Sequence, residues 1–137
     1  MSRSYSDESY SAKQIVAMPS TGALNGTAAA VADLSRMSFM QPVNVSDINV
    51  TFVAGGTNAT TGIIVGKSLA GTGAVSPIGT VMTGTSALLS TKEGAVTATD
   101  FVTGDDLVIQ RTIGTSTTVE EVIPYIQYRE NFVVDDS

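Results

Sequence analysis

The sequence contains no cysteine, no histidine and no tryptophan. Without cysteine there is no disulfide and no thiolate nucleophile. Without histidine, the commonest general base and the commonest metal ligand are both missing. A serine or threonine nucleophile would then need a lysine or terminal amine as its base. Nothing in the sequence places Lys13, Lys67 or Lys92 beside one. Charged residues are sparse, at 15%, and the balance is acidic, with a formal net charge of −6. The seven Lys and Arg are scattered singly from Arg3 to Arg129. They make no basic footprint able to displace counterions, so no nucleic-acid partner is expected. The same argument disfavours an anionic membrane surface. No run approaches the ~20 apolar residues of a membrane-spanning helix. Ser2 to Lys13 is polar and no hydrophobic export segment follows it. The chain is therefore expected to be made in a cytoplasm and to leave it only by assembly into something larger.

What is present points to one β-rich domain. A chain of 137 residues fits a single domain. At this size folding buries roughly two-thirds of the unfolded surface, enough for one modest core without covalent staples. Hydrophobic residues make up 42%, mostly Ala and Val, while aromatics reach only 6%. Small side chains predict a thin core between close sheets, with Thr, Ser and Gly filling most of the remainder.

Along the chain, three regions separate. Residues 1–18 form an N-terminal arm whose first part is polar, with Tyr5 and Tyr10 as its large apolar groups and a possible short strand at Gln14 to Met18. A loose terminus and an arm that orders on a partner both fit this composition. Residues 19–33 are transitional, with turn signals at Pro19 to Gly22 and Asn25-Gly26. Thr27 is placed to cap a short helical turn over Ala28 to Ala32. From 34 to 137 the pattern becomes β. Ile48, Val50 and Phe52 alternate with Asn49 and Thr51, the period of a strand with one buried face. Further strands are expected at Ile63 to Leu69, Val75 to Met82, Ala87 to Leu89, Ala95 to Val102, Leu107 to Ile113 and Val119 to Arg129. Turns are expected at Gly55-Gly56, Gly71 to Gly73, Lys92 to Gly94, Gly104-Asp105 and Gly114 to Ser116. Pro124 lacks a ladder donor, which predicts an edge position or a bulge there. Short strands at ~8–12-residue spacing read as an antiparallel β-sandwich, jelly-roll or Greek-key like, with an extended N-terminal arm.

The apparent chemical motifs have simpler readings. Gly66-Lys67-Ser68 resembles the end of a phosphate loop, but the required earlier glycine falls at Thr61 and a β-run, Ile63 to Val65, precedes it. Lys67 is then expected on the solvent side of a strand. The pairs Asp105/Asp106, Glu120/Glu121 and Asp135/Asp136 could supply acid and base. Neighbours on a strand point to opposite faces, however, and cannot face each other across a substrate. Gly104-Asp105-Asp106 fits turn chemistry. Loops rich in Asp, Asn and Thr leave Ca²⁺ open, without any EF-hand spacing. The sequence predicts no enzyme, no catalytic residue and no cofactor.

One constellation is similar to a known family. Gly62-Ile-Ile-Val-Gly-Lys67 is followed by Ala70-Gly-Thr-Gly73 and Ile78-Gly-Thr-Val81. Then come Thr97-Ala-Thr-Asp-Phe101, Gly104-Asp105-Asp-Leu-Val-Ile109, a Thr-rich turn and Tyr125-Ile-Gln-Tyr-Arg-Glu130. From about Val43 to Arg129, this order resembles the small β-sandwich capsid decoration, or cement, proteins of tailed bacteriophages. The resemblance implies a virion protein on the outer capsid surface, commonly a homotrimer, that bridges major capsid protein subunits. It carries over no catalytic residue. In that setting Tyr5, Tyr10, Ile15 and Met18 are the expected capsid or subunit contacts. Other phage structural roles (head-fibre base, tail accessory, adaptor) fit the same residues. A cellular ligand-binding sandwich fits less well, for want of an export signal or an aromatic platform.

Overall fold

The computed structural model describes residues 12–21, 26–28, 31–54, 56–86, 91–111, 114–116 and 121–130. They contain ten β-strands and no helix. These are β1 (Gln14–Ala17), β2 (Gly26–Ala28), β3 (Ala32–Ser38), β4 (Val43–Ala54) and β5 (Gly56–Ser68), then β6 (Val75–Ser86), β7 (Thr91–Phe101), β8 (Asp106–Arg111), β9 (Gly114–Ser116) and β10 (Glu121–Glu130). Where a helical turn was expected after Thr27, Gly26–Ala28 instead pairs with β9. The region read as the arm also contributes a strand, since β1 lies on the edge of the main sheet.

The strand order is β1-β10-β4-β7-β6-β5-β8-β3, antiparallel throughout. Setting aside β2 and β9, the pairing is nested. The first long strand pairs with the last (β1 with β10), the second with the seventh (β3 with β8), the third with the sixth (β4 with β7), and the fourth with the fifth (β5 with β6). A long hairpin rolled over on itself gives this nesting, and that is the jelly roll. Pairing of β10 with β4 and of β8 with β5 completes two four-stranded halves. Among the described residues, the ladder between β6 and β7 that joins the halves is short, Gly79↔Val96 and Thr80↔Ala95. The sheet can therefore fold over along that seam.

Both halves feed one core. Val45, Ile48, Val50, Phe101, Val122 and Ile126 come from one side, and Ile63, Val65, Leu107 and Ile109 from the other. Burial of each such side chain stabilises the fold by ~1.5–3 kcal/mol relative to exposure. β10 shows the expected alternation, with Val122, Pro124 and Ile126 buried between half-buried Ile123, Tyr125 and Gln127.

Gly114 to Ser116, expected as a turn, is instead strand β9, paired with β2, and two further expectations about punctuation fail for physical reasons. Lys92 to Gly94 is not a turn but lies inside β7. Gly94 sits beneath the seam: a Cβ there would overlap Cγ2 of Val81 and stand 3.0 Å from Cγ2 of Ile48. Close approach of β6 to β7, not a chain reversal, requires this glycine. Pro124 is neither on an edge nor at a bulge. β10 has neighbours on both sides, and its irregularities fall at Glu121/Val122 and Gln127/Tyr128. The N–H and C=O of one residue in an antiparallel pair point to the same neighbour. The Pro124 carbonyl accepts from Met18 N at 2.8 Å, on the β1 side, so the missing donor also faces that side. There the β1 ladder has already ended, at Ala17↔Tyr125.

Candidate functional site

Jelly-roll nesting brings the β3–β4, β5–β6 and β7–β8 connections to one end of the sandwich. Register fixes this: Asp106 pairs with Ser38 and with Ser68, and Val43 pairs with Phe101 and with Glu130. Each connection presents one large hydrophobic side chain to water. Met40 is 88% exposed, Leu69 55% and Val102 58%. Each directly follows a buried residue: Phe39, Ser68 and Phe101.

These loops are pinned. Asp105 is buried, and its carboxylate accepts from Val102 N at 3.0 Å and from Ala70 N at 3.2 Å, tying β5–β6 to β7–β8. Lys67 Nζ lies 3.5 Å from the same carboxylate. Hydrogen bonding from Val102 N, helped by Ala70 N and the Lys67 charge, holds the Asp105 carboxyl below the ordinary aspartate range despite burial. Gly104, at φ +96°, makes the turn that aims this carboxylate inward. In the β5–β6 loop, Gly71 and Gly73 also adopt positive φ, and Thr72 N bonds Leu69 O at 3.1 Å.

Lys67 is not on the solvent side of its strand. Its Nζ donates to Asp100 O at 2.6 Å and stands 5.4 Å from the centroid of the Phe101 ring. The Phe101 face and the Asp105 charge draw it inward, so the residue joins β5 to β7 rather than meeting a phosphate. Asp105 and Asp106 likewise turn to different neighbours. Asp106 accepts from Ser38 Oγ and from Arg36 Nη1, the latter at 3.2 Å. Arg36 reaches on to Asp33 and to Gly73 O. The Asp33 carboxyl is lowered by its bond from Gln110 first and Arg36 second.

Between the end of β3 with the β3–β4 connection and the end of β10 lies a cleft of about 250 Å³, lined by Met37, Phe39, Met40, Val43, Tyr128 and Glu130 among others. Phe39 packs against Phe101 and Tyr128, with ring centroids 5.4 Å apart in both pairs. Gln41 donates to Glu130 at its rim. Among the described residues no three acidic side chains gather to hold a metal ion.

The residues expected to make contacts are distributed differently. Tyr5 and Tyr10 lie outside the described residues. Ile15 is on β1 and 63% exposed. Met18 is 3% exposed and belongs to the chain's own core. The sequence reading missed Met40, Leu69 and Val102. Their signal was a single apolar residue between a strand end and a Gly or Pro turn, repeated three times: Phe39-Met40-Gln41-Pro42, Ser68-Leu69-Ala70-Gly71 and Phe101-Val102-Thr103-Gly104.

No family model matches the chain, and no curated protein matches it. Among solved structures it is similar to a chain of infectious bursal disease virus, Gx strain, with 8% identity and a TM-score of 0.44 over 86% of this chain. It spans only 33% of that viral chain. It is also similar to Eiger TNF from S. frugiperda, with 10% identity and a TM-score of 0.42, over 89% of this chain and 96% of that one. The jelly-roll assignment rests on the strand order itself.

Proposed function

We propose that this protein is a non-catalytic structural component of a tailed-bacteriophage virion. In this reading it is a homotrimeric decoration protein that sits on the outer capsid surface and bridges major capsid protein subunits. The observation that carries the reading is the loop end. Three connections, joined to one another or to the strands by hydrogen bonds, each hold one large hydrophobic side chain out in water. An enzyme converges polar groups on a reacting atom, whereas this end spends its polar groups on its own loops. Pinned loops lose little entropy on docking, so more of the apolar burial appears as affinity.

The resemblance of the Val43–Arg129 pattern to capsid decoration proteins supports the same reading. The acidic balance, at −6, suits a protein that meets protein rather than nucleic acid. Repetition over a shell turns modest contacts into large total stabilisation, because each copy binds only the assembled lattice. Ile15, with Tyr5 and Tyr10 in the arm, would extend the contact along the shell or onto a sister subunit.

The test is reconstitution. Purified protein is added to particles that lack it, and binding and heat-induced DNA release are followed. Saturation at a fixed ratio to the major capsid protein, with release moved to higher temperature, is expected. Failure to bind intact particles would overturn the proposal.

A further inference from the structure

The cleft beside the β3–β4 connection has apolar walls, and its polar groups are already engaged. Met37, Phe39, Met40, Val43 and the Tyr128 ring make the walls. Ser38 Oγ donates to Asp106, Gln41 Nε2 donates to Glu130, and the Tyr128 hydroxyl donates to Gln14 Oε1 at 3.1 Å. Such a site suits an apolar side chain better than a polar small molecule. Its volume, about 250 Å³, has room for an aromatic ring. A closed apolar cavity of roughly 150 Å³ already admits benzene.

The described part of the chain ends at the wall of this cleft. Glu130 lines the cleft, is the last residue of β10 and pairs with Val43. The next residue on the β4 side is Pro42, which has no N–H to extend the ladder. On the other side the β1 ladder begins at Gln14↔Tyr128, short of Glu130. Tyr128 and Glu130, two residues apart, both line the cleft. On an extended chain the next side chain of that row belongs to residue 132, ~7 Å further on. Residue 132 is phenylalanine, within Asn131-Phe-Val-Val134.

We infer that Phe132 of the same chain seats in this cleft, so that residues 131–134 form a strap across the β3–β4 corner of the loop end. Attachment two residues from the cleft wall gives Phe132 a high effective concentration there, which a separate partner does not have. The walls match the ring. Met37 and Met40 bring two thioethers, which adapt in shape and make favourable contacts with aromatic rings. Met40 is 88% exposed, so a ring beside it removes apolar surface from water. The charged pair Asp135-Asp136 follows directly and suits a chain that returns to water past the cleft. Leu69 and Val102, on the other two connections, stay available to a partner. The seat is the same whatever partner the loop end meets.

The experiment is NMR on the full chain with ¹³C-labelled methionine methyls. Nuclear Overhauser contacts are expected from the Phe132 ring to the methyls of Met37 and Met40. Phe132→Ser should abolish them and move both methyl resonances. The Met18 methyl, in the core, should stay where it is in wild type. Val133→Ser, which changes the opposite row, should leave Met37 and Met40 at their wild-type positions. Position 132 lies beyond the last ladder pair, so circular dichroism should be unchanged in both variants. Absence of the contacts, or methionine resonances unmoved by Phe132→Ser, would overturn the inference. A mixture of labelled and unlabelled protein tests whether the strap stays in its own chain. Contacts that cross from one copy to another in that mixture would overturn it as well.

Discussion

Replacing Asp105 by alanine should cost about 3 kcal/mol of stability. The carboxylate side chain is only 3% exposed. It accepts from two backbone amides, Val102 N at 3.0 Å and Ala70 N at 3.2 Å, and it faces Lys67 at 3.5 Å. A hydrogen bond to a charged group contributes ~1.5–3 kcal/mol, and losing the acceptor also strands the donors. Removing one partner of a buried ion pair typically costs ~3–5 kcal/mol. The lower end applies, because Lys67 keeps its bond to Asp100 O, its place over Phe101 and some contact with water. Lys67→Met should cost less, about 1 kcal/mol, since Asp105 then retains both amide donors. Urea unfolding at neutral pH measures both, and the alanine variant should melt roughly 10 °C below wild type at this chain length. A loss below ~1 kcal/mol for Asp105→Ala would refute the reasoning. It would mean that the two loops are held by something other than this carboxylate.

Four further outcomes follow from particular residues. Gly94→Ala should destabilise by ~1–3 kcal/mol, because the new methyl overlaps Val81 in a packed seam. Alanine at Gly71, where nothing lies within 4 Å and only the positive φ resists, should cost about 1 kcal/mol by the same unfolding assay. Asp33, Asp47 and Asp105 all hold carboxyls below their ordinary range, so the native state binds fewer protons than the unfolded chain in acid. Their contribution is complete above the unfolded value of ~3.9 and is lost as pH falls through the lower folded values. Urea midpoints taken at falling pH should therefore drop below about pH 4. A rise would show that relief of self-repulsion in the acidic chain outweighs the three carboxylates. Finally, Met40, Leu69 and Val102 changed together to serine should leave the melting temperature within ~2 °C of wild type while lowering particle occupancy at least tenfold. Unchanged occupancy would remove the loop end from the contact.

The all-β class was legible because alternation is local. Ile48, Val50 and Phe52 announce their strand whatever they pair with. Nesting was less legible. Pairing of Val16 with Ile126 spans most of the chain, and no local signal records it. Glycine misled where it serves packing rather than turning, since Gly94 in sequence looks like the end of Lys92-Glu93-Gly94. Pro124 misled because its missing donor matters on one side only, and β1 gives way on that side. Lys67 misled because strand parity indicates a face but not a partner. The turn carboxylate Asp105 and the Phe101 ring arrive from ~35 residues away in sequence. The loop end was hidden for the same reason, because three isolated apolar residues come to the same end of the sandwich only after the roll has closed.

Quantitative mass spectrometry of purified virus particles that encode this chain tests the central claim most directly. The account predicts a copy number near that of the major capsid protein, or one trimer per capsomer junction. A handful of copies would move the protein to a vertex, fibre or tail position. Absence from the particles would contradict the structural role altogether.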